Sequence, residues 1–309
     1  MIESGTHTVG VRVEDFGLPP GTALRVDLPA PALRPFLTHY HVLDSDPGLH
    51  DGVVSWALPG WPLIRLILTD APMTLRIGNR LYDPIPPAAL YGFASRARQM
   101  TTHGGVTVGI GLTPLGWARM IAAPADRLRD QVVPLEDHLP ATRIAALRRD
   151  LRDSDGSREV AALLDAFFAP LLAVPNRAEA GIEMLMRLVA DDRVHDIATA
   201  SEAAGMSQTT LRRLATRYFG FPPKTLLVQQ RFLRSLRRML MAGNKPDYSQ
   251  IAPTYFDKSH FLRDADRFLG MTPRRFMLLD NRYMLAVMRA RTLVTEADRA
   301  GDDALTMAR

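Results

Sequence analysis

The stretch DKSHFLRDADRFLGMTPRRF, residues 257–276, repeats a pattern that lies fifty residues upstream as SQTTLRRLATRYFGFPPKTL, residues 207–226. Without a gap, Gly220 aligns with Gly270, and arginines and apolar residues recur at the same spacing. A polar capping residue followed by apolar positions three or four apart is typical of a helix, and glycine commonly ends one. The repeat therefore predicts one helical unit that occurs twice.

The residues before the first copy complete a two-helix unit. Asp196 is suited to begin a short helix, IATASEAA, and Gly205 to end it, because glycine accepts the left-handed conformation that closes a helix. Ser207 then begins a second helix, in which Leu211 and Leu214 share an inward face. Two helices joined by a glycine turn form a helix-turn-helix, whose second helix reads the major groove of DNA with its first side chains.

The outward side chains of the two second helices are the candidate DNA-binding residues. Arginine suits the O6 and N7 atoms of guanine, and glutamine suits adenine. The candidates are Gln208, Thr209, Arg212, Arg213 and Arg217 in the first unit and Lys258, Ser259, His260, Arg263 and Arg267 in the second. His260 also fits a structural, hydrogen-bonding role. Because Asp264 and Asp266 would face phosphates poorly, we expect the second unit to bind DNA more weakly and to read fewer bases.

A long helix is predicted between the two units, in GFPPKTLLVQQRFLRSLRRMLMAGN. Its apolar stripe comprises Leu226, Leu233, Leu236 and Leu240, and Gly243 is expected to end it. Residues 206–246 contain arginine and lysine but neither aspartate nor glutamate, in a chain of net charge +5. Such a helix would hold the two units so that their recognition helices enter successive major-groove segments roughly 34 Å apart.

The N-terminal part has the pattern of an antiparallel β structure. Residues 22–112 contain short apolar or alternating runs that Pro and Gly separate, and Gly78-Asn79 is suited to the turn of a hairpin. This predicts a barrel or a sandwich. After Pro114 the apolar spacing becomes helical.

Composition excludes several classes of protein. The 309 residues include no cysteine, so disulfides and zinc–thiolate sites are excluded. The apolar runs are too short to span a bilayer, and the first residues lack the pattern of a signal peptide, so we expect a cytoplasmic protein without a membrane partner.

The two units, the long middle helix and above all DKSHFLRDADRFLGMTPRRF resemble the C-terminal module of AraC/XylS-type transcriptional regulators, over about residues 180–278. The resemblance implies a sequence-specific DNA-binding regulator with an α+β fold: a cupin-like antiparallel β-barrel, a helical connector and an all-α double helix-turn-helix. It assigns recognition-helix roles to Gln208, Thr209, Arg212 and Arg213 in the first unit and to Lys258, Ser259 and Arg263 in the second. It also favours activation. Pro253 stands before the turn of the second unit and predicts an early end to the helix there.

The domain organisation follows from this order of elements. We predict a sensor or dimerisation domain at 1–140, a helical connector at 141–176, a DNA-binding domain at 177–288 and a tail at 289–309. Double-stranded DNA is the predicted partner. A small-molecule effector, RNA polymerase and a second copy of the chain, held through the N-terminal domain, are further candidates.

Two other functions stay open. His39 and His41 lie two apart, on one face of a predicted strand, as in the metal site of a cupin enzyme. Such a site would need further ligands, for which His50, His103 and Glu136 are available. The sequence predicts no catalytic residue, cofactor or metal. The aromatic residues Trp56, Trp61, Tyr40, Tyr82, Tyr91 and Phe93 fit either an effector pocket or a core. The second alternative is a regulator that acts mainly through protein contacts, using the helices of residues 141–172 and the long segment after Phe276.

Overall fold

The computed structural model describes residues 1–243 and 246–307, with side chains described up to residue 300. The strands are β1 (Thr22–Asp27), β2 (Leu37–Ser45), β3 (Asp51–Ala57), β4 (Leu63–Ile67), β5 (Thr74–Ile77), β6 (Arg80–Tyr82), β7 (Ala88–Tyr91), β8 (Arg98–His103), β9 (Gly105–Leu112) and β10 (Val132–Pro134). The helices are α1 (Pro47–His50), α2 (Pro114–Met120), α3 (Ala141–Asp153), α4 (Val160–Leu171), α5 (Glu179–Ala190), α6 (Ile197–Ala204), α7 (Gln208–Phe219), α8 (Pro223–Ala242), α9 (Lys258–Leu269), α10 (Pro273–Met277) and α11 (Arg282–Met307).

The strands form two antiparallel sheets. One has the order β1-β2-β9-β4-β7-β10 and the other β3-β8-β5-β6. The predicted α+β class, with an antiparallel N-terminal part and a helical C-terminal part, is confirmed. The predicted barrel is not closed, because no ladder between described strands joins the two sheets. The hairpin of β5 and β6 turns at Gly78, whose φ of 56° lies in the left-handed region.

The connector packs on the outer face of the six-stranded sheet. Tyr40 and Ile110, on neighbouring strands, lie in one core with Leu147 of α3 and Leu164 of α4. The hydroxyl of Tyr40 donates to Asp165 at 2.8 Å. The apolar faces of α3 and α4 are therefore already covered by the sheet.

The hydrophobic core continues past the predicted boundary at 176. The same core takes in Ile182 of α5, Leu211 of α7 and Leu227 of α8. A second core joins Leu58 and Ala97 of the N-terminal part to side chains of the C-terminal helices. The division into 1–140, 141–176, 177–288 and 289–309 stays a prediction, but the parts are packed together rather than separated by a linker.

The predicted tail belongs to a long helix. The boundary at 288 falls inside α11, and residues 308 and 309 lie outside the described residues. Ala286, Ala290 and Val294 pack against side chains of β1. Farther along, the Arg34 guanidinium donates twice to the carboxylate of Asp298, at 2.6 and 3.1 Å. Helix α11 therefore returns from the C-terminal helices to the N-terminal sheet.

Candidate nucleic-acid interface

The first helix-turn-helix has the predicted caps. The Asp196 carboxylate accepts from the backbone N–H of Thr199 at 2.9 Å, and the Ser207 hydroxyl accepts from that of Thr210 at 3.2 Å. Gly205, between α6 and α7, has a φ of 59°. Because these contacts satisfy backbone donors that a helix leaves unpaired at its start, they determine where each helix begins.

Helix α7 has a buried and an exposed face. Leu211, Ala215 and Phe219 are buried. The five candidates are exposed: Gln208, Thr209, Arg212, Arg213 and Arg217. None of the ion pairs between described residues involves Arg212 or Arg213. These two guanidinium groups are therefore available to an external anion such as a DNA phosphate.

The second unit is less regular than predicted. Asp257 caps α9 as expected, accepting from the backbone N–H of His260 at 2.6 Å. The segment before it contains a single short 3-10 helix, Tyr248–Gln250, among its described residues. Pro253 follows that helix, and proline cannot donate the hydrogen bond that would continue it. The turn is held instead by the hydroxyl of Ser235, which accepts from the N–H of Ala252 at 3.0 Å.

The candidates of α9 differ in exposure. Lys258, Ser259, Arg263 and Arg267 are exposed. His260 is half-buried, edge-on to the Tyr255 ring at 5.1 Å between centroids and 3.3 Å from an Arg231 nitrogen. Its surroundings suit a structural role.

The expectation that Asp264 faces phosphates is wrong. Asp264 is buried; its carboxylate accepts from the Tyr255 hydroxyl at 2.8 Å and lies 3.4 Å from the Arg231 guanidinium. Burial, followed by the charge of Asp264, raises the pKa of Tyr255, so this phenol stays a donor. Asp266 is exposed, as expected. Only one of the two acids on α9 can therefore repel DNA.

The arginines of α8 are largely engaged within the protein. Arg234 pairs with Asp192 at 2.5 Å, and Arg238 lies 3.7 Å from the same carboxylate. Arg231 pairs with Asp264. The arginines of the basic segment 206–246 thus pair with acids that lie before and after it in the sequence. The composition of the segment alone could not show these pairs.

The N-terminal part holds the C-terminal ends of both α7 and α9. The N–H of Ala125 donates to the carbonyl of Arg217, at the end of α7, at 2.7 Å. The N–H of Ala97 donates to the carbonyl of Phe268, at the end of α9, at 2.8 Å. The buried side-chain amide of Gln229 in α8 donates to the carbonyl of Ala94 at 2.9 Å. These contacts leave the N-terminal turns of α7 and α9 exposed.

The histidines considered as ligands of a metal site do not lie together in the structure. His39 and His41 are buried and stacked, and an Nε2 to Nδ1 distance of 3.2 Å joins their rings. His50 instead contacts Tyr283, and His103 lies 2.5 Å from Asp51. The described residues contain no group of three or more His, Cys, Asp or Glu side chains placed to hold a metal ion.

The aromatic candidates are mostly core residues. Tyr40, Tyr91 and Phe93 are buried, and Phe93 packs against Trp117. Trp56 is half-buried on the four-stranded sheet, edge-on to Phe276 at 6.2 Å between centroids. These rings fill the space between elements and join the two parts of the chain.

A capped helix, a left-handed glycine turn and a second capped helix with an exposed basic face define a helix-turn-helix DNA-binding protein. A family model described as "Helix-turn-helix domain" matches residues 200–278. The chain thus carries an AraC-type helix-turn-helix domain in its C-terminal part, and it is a DNA-binding transcription regulator. Among the described helices, none is long and apolar enough to cross a membrane.

The chain is also similar to solved structures, at low identity. ToxT from Vibrio cholerae aligns at 12% identity and a TM-score of 0.45, covering 84% of this chain and 100% of that chain. A ToxT bound to an unsaturated fatty acid aligns at 11% identity and a TM-score of 0.42, covering 85% of this chain and 96% of that chain. The AraC-like transcriptional activator CuxR aligns at 13% identity and a TM-score of 0.24, covering 75% of this chain and 90% of that chain. No curated protein matches the chain in sequence.

Proposed function

We propose that the chain recognises a specific sequence in double-stranded DNA and that α7 and α9 enter successive segments of the major groove. One observation carries the proposal: the C-terminal ends of both helices are bound to the N-terminal part, at Ala125 and Ala97, whereas their N-terminal turns are exposed. A recognition helix reads bases with its N-terminal residues. Both helices are therefore held at their C-terminal ends, and their exposed N-terminal turns can contact DNA.

Helix α7 is proposed as the main reader of sequence. Its first turns present Gln208, Arg212 and Arg213, the side-chain types that form paired hydrogen bonds with adenine and guanine. Helix α9 is proposed to dock on the backbone, with Lys258 and Arg263 on phosphates. Phosphate contacts position a protein on the duplex without reading it. Affinity should accordingly fall steeply as salt is raised.

The proposal is tested by selecting duplexes from genomic fragments with the full chain and then measuring variants. Arg212→Ala or Arg213→Ala is expected to lose about 1–3 kcal/mol on the selected duplex if that arginine contacts a base. The loss on a random duplex should be smaller. Arg149→Ala is the matched control, since Arg149 is exposed on α3 and pairs only with its neighbour Asp150 among described residues.

Each result has a definite meaning for α7. Equal losses on selected and random duplexes would reassign the arginine to phosphate binding. Failure of the full chain to enrich any duplex, in a sample that remains folded, would contradict sequence-specific binding. The spacing of enriched half-sites would also report whether a second copy of the chain takes part, because symmetric sites match dimers.

The proposed function includes activation of transcription in response to a signal at the N-terminal part. The resemblance to AraC/XylS regulators favours activation, with RNA polymerase as the partner, and an effector or self-association through the N-terminal part as the signal. The hydrogen bonds that join Ala94, Ala97 and Ala125 to the C-terminal helices support this, because a change in the N-terminal part would be transmitted to α7 and α9. A reporter carrying the selected duplex upstream of a promoter should rise in output when the chain is expressed.

A further inference from the structure

A large apolar side chain is exposed at the start of α9. Phe256 directly precedes Asp257, the residue that caps this helix. Phe256 is 94% exposed, the highest value among the exposed large apolar residues in the described part of the chain. It belongs to none of the hydrophobic clusters that the described residues form. The core of the protein therefore does not explain this ring.

The usual packing site for a side chain at this position is already occupied. An apolar residue just before a helix cap often packs against the fourth residue of the helix, which in α9 is Phe261. The Phe261 ring instead contacts the rings of Tyr255 and Phe232, at 5.4 and 5.3 Å between centroids. Because these two rings cover Phe261, the side chain of Phe256 is left in solvent.

The first unit treats the equivalent residue differently. In the fifty-residue repeat, Met206 aligns with Phe256 and stands just before the cap of α7. Met206 is half-buried, and its Cε atom lies 3.6 Å from the place that a Cβ atom of Gly181, in α5, would take. The apolar residue before the cap is thus turned toward the protein in the first unit and toward solvent in the second. The repeated fold alone does not require this exposure.

The surface around Phe256 suits the approach of DNA. Lys258 and Ser259, on the first turn of α9, are exposed beside it. Between residues 251 and 263 the only acid is Asp257, and its carboxylate accepts from the backbone N–H of His260 at 2.6 Å. A carboxylate at the start of a helix is compensated by the positive end of the helix dipole. The ring therefore lies at an exposed helix start that carries a cation and no uncompensated acid.

We propose that Phe256 contacts the methyl group of a thymine in the major groove, an inference that rests on the proposed entry of α9 into that groove. Thymine is distinguished in the major groove by its methyl group, and phenylalanine is among the side chains that contact it. Such a contact removes both apolar groups from water, which stabilises the complex. Helix α9, proposed above to dock on phosphates, would then also read one base through an apolar contact instead of a hydrogen bond.

The test removes the methyl group from the DNA and the ring from the protein. Each thymine of a duplex selected by the full chain is replaced in turn by uracil, which lacks the methyl group and keeps the same hydrogen-bonding groups. Fluorescence anisotropy then measures the affinity of the wild type and of Phe256→Ala for every duplex. At one thymine of the site, uracil should weaken wild-type binding about three- to fivefold, the effect of one methyl group left in water.

Phe256→Ala should bind the thymine duplex about tenfold more weakly than the wild type does, because the interface loses an aromatic ring. The uracil that weakens wild-type binding should leave binding by Phe256→Ala unchanged, since its methyl group has lost its partner. The thermal midpoint of the variant should equal that of the wild type, because the replaced side chain is exposed. Val9→Ala is the matched control: Val9 is 91% exposed in the N-terminal part, and this variant should keep the wild-type affinity and the full effect of uracil.

Two results would overturn the role of Phe256 alone: wild-type binding that uracil weakens at no position, or a uracil effect that is equal in the wild type and in Phe256→Ala. Either result requires a selected duplex, so sequence-specific binding would stand. A selection that enriches no duplex would instead contradict sequence-specific binding, and the contact between Phe256 and thymine would be rejected with it.

Discussion

Replacing Tyr255 by Phe tests whether the buried carboxylate of Asp264, in α9, stabilises the fold. The substitution removes one hydroxyl and keeps the ring, which packs against Phe261 at 5.4 Å between centroids and carries the Arg231 guanidinium 4.2 Å above its centre. The lost contact is the 2.8 Å hydrogen bond from Tyr255 to the buried carboxylate of Asp264. Asp264 would keep only the longer contact of 3.4 Å with Arg231.

The expected magnitude follows from the type of contact. A hydrogen bond to a charged group contributes about 1.5–3 kcal/mol, and Tyr255 and Asp264 are both buried, so water replaces it poorly. We expect a loss of about 2 kcal/mol in the free energy of unfolding. Because 1 kcal/mol corresponds to about 2–4 °C in domains of 150–250 residues, the thermal midpoint should fall by about 4–8 °C.

Differential scanning calorimetry of the full chain measures this change, with Tyr248→Phe as the control. Tyr248 is close in sequence, its ring contacts Lys258 at 3.8 Å, and its hydroxyl makes no hydrogen bond to a described residue. The control should stay within about 0.5 kcal/mol of the wild type. An unchanged midpoint in Tyr255→Phe, or an equal fall in both variants, would refute the structural role of Asp264.

Two further predictions concern the N-terminal sheet and the contact between α2 and α5. Gly109→Ala should lower the free energy of unfolding, measured in urea, by about 1–3 kcal/mol, because the added Cβ would clash with the His41 ring. Gly60→Ala is the control and should cause no such loss, because a Cβ there has no neighbour within 4 Å. Equal losses in the two variants would contradict the packing of His41. The Arg119 guanidinium lowers the pKa of Glu179, so their ion pair contributes fully above pH 4.5 and less as pH falls through the lowered folded value. The stability difference between wild type and Glu179→Gln should therefore shrink below pH 4.5, and a constant difference would exclude this pair as its source.

Local features of the fold were predictable from the sequence. The caps at Asp196, Ser207 and Asp257 and the glycine turn at Gly205 depend on residues at most a few positions apart, and the structure confirms each of them. The same holds for the hairpin at Gly78. Caps and turns involve hydrogen bonds within one short segment, so the neighbouring residues contain the information.

Whether the acid at Asp264 of α9 faces solvent could not be predicted from its neighbours in sequence. Asp264 is one position on a basic helix, and its sequence neighbours indicate only that it is an acid. Tyr255 and Arg231, which surround it, lie 9 and 33 residues away. The acid was therefore predicted to face DNA, and long-range packing placed it inside.

The sequence by itself determined the class of the protein, because the repeated helical unit carries its caps, its apolar face and its exposed arginines within each short copy. Only the tertiary structure decided how the N-terminal part holds the ends of α7 and α9, and that α11 returns to the sheet through Ala290 and Val294. The reason is physical: these contacts join residues more than ninety positions apart, and their hydrogen bonds form only after the cores have packed.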